Sequence, residues 1–160
     1  MRDILEEIVA NKREEIAQFY QLLPITTLAT LTEKMLHITV PSMRRALMES
    51  TTGIIAEFKR RSPSRGWIHR DARVSEVVPA YEQSGASAVS ILTDRNYFGG
   101  YDEHIQQARF MGVSLPILYK NFVVDEYQLF QARYCGASAV LLIASVLTID
   151  ECRRLMSLAH

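Results

Sequence analysis

GASAV occurs twice, at Gly85-Ala86-Ser87-Ala88-Val89 and at Gly136-Ala137-Ser138-Ala139-Val140, each time between a helical pattern and an apolar run. Before the first copy, VVPAYEQSG (77–85) reads as a helix with Pro79 in its first turn and Gly85 at its C-terminal cap. Before the second, DEYQLFQARYCG (Asp125–Gly136) has the acidic first turn and terminal glycine of a helix. AVSILTD (Ala88–Asp94) and AVLLIA (Ala139–Ala144) then read as strands. The repeated pentapeptide therefore encodes a shared helix-to-strand turn.

Working outward, the interval between the copies holds an aromatic and glycine loop, NYFGGY, a helix near Asp102–Met111 and a third apolar run, LPILYK (Leu115–Lys120). Upstream, GIIAEFK (Gly53–Lys59) is short, apolar and β-branched at its start and reads as a buried strand, followed by a long polar loop, SPSRGWIHRDARVS. Downstream, TIDECRRLMSLAH closes the sequence as a helix with Thr148 as its N-cap. Strands spaced roughly one per 25 to 35 residues, each followed by a helix, indicate βαβ units, a parallel sheet and right-handed crossovers. A (β/α)-barrel lineage is expected ahead of an open doubly wound sheet.

The N-terminal third is different. Ile4, Ile8, Ile16 and Phe19 recur at helical spacing, so residues 3–20 read as an amphipathic helix. A Thr-rich, Pro-punctuated connector spans Leu23–Val40, and a shorter helical stretch lies near Met43–Met48. Residues 1–50 are thus expected to form a helical extension, and 51–160 the first half of a barrel in a single incomplete domain.

The 160 residues, 48% hydrophobic and 22% charged, suffice to bury one core. Lys+Arg and Asp+Glu both number 18, which gives no reason to expect nucleic acid or an anionic membrane surface as a partner. Charge interrupts the apolar residues of MRDILEEIVANKREE, so no signal peptide is read there, no window approaches a membrane span, and a cytoplasmic protein is expected. Cys135 and Cys152 have neither CxxC nor Cys/His ligand spacing and read as buried or partly buried thiols. His37, His69, His104 and His160 are scattered without metal-like spacing, so no metal site is expected.

In parallel α/β folds ligands gather at the C-terminal ends of strands, which makes charged residues there informative. Glu57 and Lys59, two apart on one strand, share a face, and Lys120 ends the third strand. A carboxylate and two ammoniums arriving at one rim can bind an anionic substrate and move protons. KRRSPSR (Lys59–Arg65) follows the first strand as a loop able to offer hydroxyls and backbone N–H groups to a phosphate or carboxylate. Trp67 in that loop reads as a packing residue; Tyr97 and Phe98, before Gly99-Gly100, read as loop anchors or as an apolar wall for an aromatic ligand.

On four motifs the sequence resembles indole-3-glycerol-phosphate synthase. IIAEFKRRSPSRG (Ile54–Gly66) is similar to that family's first-strand signature, SILTDRNYFGG (Ser90–Gly100) to its second-strand motif, LPILYKNFVVDEYQ (Leu115–Gln128) to its third-strand lysine motif, and GASAVLLIASVLT (Gly136–Thr148) to its fourth strand. The resemblance implies an α/β fold, the N-terminal half of a (β/α)8 TIM barrel of about four βα units preceded by a helical extension. It also implies a role in tryptophan biosynthesis, no metal or organic cofactor, and a small phosphorylated substrate, a carboxyphenylamino-deoxyribulose phosphate that undergoes ring closure, decarboxylation and dehydration. By the same resemblance Lys120 is the general acid, Lys59 binds the substrate's anionic group and shares acid duty, and Glu57 orients and balances both lysines. Ser62 contacts substrate from the first loop, and Phe98, Phe122 and Leu141 wall its anthranilate ring.

Two departures qualify the match. The residue after the third-strand lysine, usually Asp in the family, is Asn121 here, which alters the charge near Lys120. A complete barrel needs about 250 residues, and the family's later-strand general base and late phosphate-holding loops have no counterpart in these 160. The half-site is therefore expected to be inactive alone. The alternative from another class is a non-catalytic half-barrel that associates with itself or with a C-terminal half through open strand edges. A flavodoxin-like module is disfavoured because no GxGxxG follows the first strand.

Overall fold

The computed structural model describes residues 4–160. In chain order it contains α1 (Ile4–Leu22), α2 (Ile25–Glu33), α3 (Met43–Glu49), β1 (Ile55–Phe58), a small hairpin of β2 (Arg61–Ser62) and β3 (Gly66–Trp67), and α4 (Val74–Gln83). There follow β4 (Ala88–Leu92), α5 (Arg95–Phe98), α6 (Glu103–Phe110), β5 (Ile117–Lys120), α7 (Tyr127–Cys135), β6 (Ala139–Val140) and α8 (Ile149–Ala159). Residue 3, the expected start of the first helix, lies outside the described residues.

The main sheet is parallel throughout, in the order β1-β4-β5-β6. Spatial order follows chain order, so there is no switch point of the kind that defines a doubly wound sheet. This is the α/β half-barrel pattern expected from the sequence. All five residues of β4 are buried, because it has a strand on each side. Val89 and Ile91 of β4, Ile117 and Tyr119 of β5, Val78 of α4, Ile105 of α6 and Leu155 of α8 belong to one core between sheet and helices. A second cluster, Ile16, Leu28, Val124 and Tyr127, fastens α1 and α2 to the start of α7.

The structure corrects the sequence reading in several places. The expected connector at Leu23–Val40 contains α2: Leu28 and Thr32 bury against the fold, and the Thr30 and Thr32 hydroxyls donate to the Thr26 and Leu28 carbonyls one turn back. Packing thus overrides the weak helix propensity of threonine. Pro79 is not in a first turn, because α4 starts at Val74; Arg73 at the N-cap makes no side-chain cap hydrogen bond, so nothing local announced that start.

The supposed polar loop after β1 is partly ordered as the β2–β3 hairpin. NYFGGY is not all loop, since Arg95–Phe98 forms the helical turn α5, with the Asp94 side chain accepting from the Tyr97 N–H at 2.8 Å. β1 is not a fully buried strand: only Phe58 is buried, and Ile55 is 44% exposed, since β1 pairs on one side only. The fourth strand, expected at Ala139–Ala144, is paired only at Ala139 and Val140, opposite Leu118 and Tyr119 of β5.

Candidate active site

Parallel register decides which side chains meet. Glu57 on β1 stands beside Ser90 of β4, and Leu92 of β4 stands beside Lys120 of β5. Glu57 and Lys120 therefore come from strands on either side of β4, and Lys59 follows β1 directly. Lys59 Nζ donates to Glu57 Oε1 at 2.8 Å, and Lys120 Nζ lies 3.7 Å from Glu57 Oε2. One carboxylate thus holds an ammonium on each oxygen. The three side chains are 33 to 37% exposed, so this part of the sheet is solvated.

Beside the charges lies a pocket of about 190 Å³ whose lining includes Glu57, Lys59, Lys120, Phe98, Phe122 and Leu141. The Phe98 and Phe122 rings are 6.0 Å apart and tilted by 37°, forming one wall. A cavity of about 150 Å³ accepts a benzene ring, so this pocket has room for one aromatic ring. Six of the seven expected site residues are therefore together. Ser62 is not among the lining residues: its Oγ accepts from the Arg65 N–H at 3.2 Å and stabilises the hairpin turn. Asn121, noted from the sequence only for its effect on the charge near Lys120, also lines the pocket, as do Leu92 and Ile143, which escaped the sequence reading. The period-two alternation that places Leu141 would have supplied Ile143, and strand register supplies Leu92.

The apolar wall is braced from behind. Asp94 is 1% exposed and pairs with the buried Lys12 ammonium of α1 at 2.9 Å, while Asn96 Nδ2 donates to Asn11 and the Tyr97 hydroxyl to Glu7. Burial, then the Glu7 hydrogen bond, holds the Tyr97 hydroxyl above its ordinary range. α1 therefore grips the turn that carries Phe98. Gly100 completes it: a Cβ there would sit 2.2 Å from the Leu92 carbonyl oxygen, so the chain can double back over the end of β4 only without a side chain.

Arg60 braces the other side, donating to the Gly99 carbonyl from Nε and Nη2 and lying 5.7 Å from the centroids of the Trp67 and Tyr101 rings. Trp67, expected as a packing residue, is 44% exposed and lies under the guanidiniums of Arg60, Arg61 and Arg70. Among the described residues, no cluster of three or more His, Cys, Asp or Glu is placed to hold a metal ion, and no helix is long and apolar enough to cross a membrane.

The family model for indole-3-glycerol phosphate synthase matches residues 5–160. The indole-3-glycerol phosphate synthase of Bacteroides thetaiotaomicron is 51% identical over 163 residues, an alignment that covers 100% of this chain and 60% of that protein. Those of Neisseria meningitidis serogroup B and Dechloromonas aromatica are each 41% identical, covering 100% and 97% of this chain and 62% and 60% of their own length. The chain thus spans about 60% of the length of the curated relatives it matches. On the family match and these identities, the chain belongs to the indole-3-glycerol phosphate synthase family.

Proposed function

We propose that this chain carries the general-acid half of an indole-3-glycerol phosphate synthase active site, acting in tryptophan biosynthesis as a carbon–carbon lyase that needs no cofactor. The observation that carries the reading is Glu57 joining Lys59 and Lys120 beside an aromatic-walled pocket sized for one ring.

In this reading the anthranilate ring of 1-(2-carboxyphenylamino)-1-deoxyribulose 5-phosphate lies against Phe98, Phe122 and Leu141. The ring carbon attacks the ribulose carbonyl carbon while Lys120 gives its proton to the carbonyl oxygen, which becomes a hydroxyl. Loss of carbon dioxide returns electrons to the ring system, and protonation of that hydroxyl by the Lys59 ammonium, which still holds its proton, lets it leave as water. Glu57 holds the two ammoniums apart and aimed. Ser62 contributes from the hairpin after its turn opens towards substrate. The base that removes the last ring proton, and the phosphate loops, come from outside these residues. The extension at 1–50 and the half-barrel at 51–160 act as one cytoplasmic unit completed by a C-terminal half-barrel.

The test is a fluorescence assay for indole-3-glycerol phosphate, with this chain alone and with a matching C-terminal half. Turnover only in the mixture is expected, and Lys120→Ala in that mixture lowers kcat by about 10²–10⁴. Turnover by the chain alone would place the base within these residues, and silence in both, with each half folded, would overturn the reading.

A second reading, association of the chain with itself, has its own observation: Ile54 and Ile55 at the β1 edge are 54% and 44% exposed.

A further inference from the structure

The hairpin after β1 gathers the chain's positive charge. Residues 59–73, KRRSPSRGWIHRDAR, hold six lysines and arginines against Asp71 alone, a net +5 in a chain whose 18 basic and 18 acidic residues cancel. Among the described residues two of the six pair with carboxylates, Lys59 with Glu57 and Arg73 with Glu76, and Arg60, Arg61, Arg65 and Arg70 pair with none.

Three of those four crowd one indole. The guanidiniums of Arg60, Arg61 and Arg70 lie 5.7, 5.7 and 5.4 Å from the Trp67 ring centroid, and the ring leans on Gly99, where a Cβ would come within 2.8 Å of it. The indole attracts each cation, but no carboxylate offsets their mutual repulsion, which an arriving anion would relieve. Arg60 and Arg61 use their donors on the Gly99, Arg70 and Asn96 carbonyls. Arg65 and Arg70 are exposed, and among the described residues only their main chains take part in hydrogen bonds, which leaves both guanidiniums open to a ligand.

The cluster stands at the rim of the 190 Å³ pocket. Lys59, which lines that pocket, is the residue before Arg60, and Asn96, whose carbonyl receives Arg61, is two residues before the wall ring Phe98. We propose that the Trp67 hairpin is a capture site for the substrate's phosphate ester, with Arg65 and Arg70 taking the anion from solvent and delivering the molecule to the pocket beside them. It is a site of arrival, since the phosphate's final seat is in the loops outside these residues. The proposal rests on the catalytic reading above. Its mark is a rate of association: a positive patch beside a site raises encounter by about 10- to 1,000-fold, and salt removes the gain.

The experiment compares three double variants with the unaltered chain, each assembled with the C-terminal half-barrel: Arg65→Gln/Arg70→Gln, Arg65→Lys/Arg70→Lys and Arg44→Gln/Arg45→Gln. The last removes the same charge from α3, at the opposite end of the sheet, where Ser50 after α3 meets Ser87 before β4. Ionic strength runs from about 0.01 to about 1 M, over which the screening length shrinks from about 30 to about 3 Å. For the glutamine pair at 65 and 70, kcat/KM falls about tenfold at low salt and meets the unaltered value at high salt, with kcat within about twofold throughout. The lysine pair, which keeps the charge, and the α3 pair both stay within about twofold in kcat/KM. A lysine pair as slow as the glutamine pair, an equal loss in the α3 pair, or a loss that salt leaves unchanged overturns the proposal.

If the unaltered assembly shows no turnover, the catalytic reading has failed on its own, and capture is read from binding. Trp67 is the single tryptophan of the chain, so its emission reports on the cluster. Inorganic phosphate is titrated into the chain against sodium chloride of matched ionic strength. A change specific to phosphate that weakens about tenfold in the glutamine pair supports capture. An equal response to the two salts overturns it.

Discussion

At Glu57 the geometry separates function from stability. Its two ion pairs join side chains about one-third exposed, and pairs of that kind contribute at most about 1 kcal/mol to folding. Glu57→Gln is therefore expected to leave Tm within a few degrees while lowering kcat about 10- to 100-fold, because both lysines lose their common anchor. Thermal melts and steady-state rates on one preparation check both.

Two buried groups act on folding in opposite directions. Burial pushes Asp102 from the usual 3.8 to about 6, against the opposing Tyr119 hydrogen bond, and pushes His104 from 6.5 to about 4, with Arg60 adding to the effect. A raised carboxyl stabilises fully below its unfolded value, and that stabilisation is lost as pH rises through about 6. A lowered imidazole stabilises fully above 6.5 and loses that as pH falls through about 4. Relative to the unaltered chain, Asp102→Asn should gain stability steadily from pH 4 to 6, and His104→Phe should lose it from pH 4 to 6.5, as read by urea denaturation. Glu57, Lys59 and Lys120 were legible in the sequence because charge at the end of an apolar strand is conspicuous. The buried hydrogen bond from the Asn121 amide to the Thr93 hydroxyl was not, since what an uncharged amide bonds depends on partners remote in the chain.

At the scale of elements, the strands and helices around the two GASAV copies were readable because glycine caps and apolar runs are local signals; Gly136 does adopt the left-handed cap at φ 94°. The start of α4 and the whole of α2 were not, as neither has a side-chain cap and α2 is stabilised by contact with α7. The turn from β4 into α5 gives a test at this scale. In Gly100→Ala the new methyl meets the Leu92 carbonyl 2.2 Å away, so the backbone must move; a loss of about 1–3 kcal/mol is expected in urea unfolding, with KM rising because Phe98 moves with the turn. Thr148 and Glu151 form a capping box at the start of α8, and Thr148→Ala should cost about 1 kcal/mol without affecting KM.

At the scale of the molecule, β1 and β6 are the outer strands of an open parallel sheet, each paired on one side among the described residues. With Ile54 and Ile55 exposed there, the chain alone is expected to associate as concentration rises, and light scattering with and without the C-terminal half tests this: the half should restore a defined one-to-one particle. A clean monomer at high concentration would contradict it. The order β1-β4-β5-β6 has one more consequence. Each strand of this sheet docks on the sheet's previous strand, with only the β2–β3 hairpin made between β1 and β4, so during synthesis every new βα unit leaves the ribosome opposite a finished template and never has to displace a neighbour or wait for a later one.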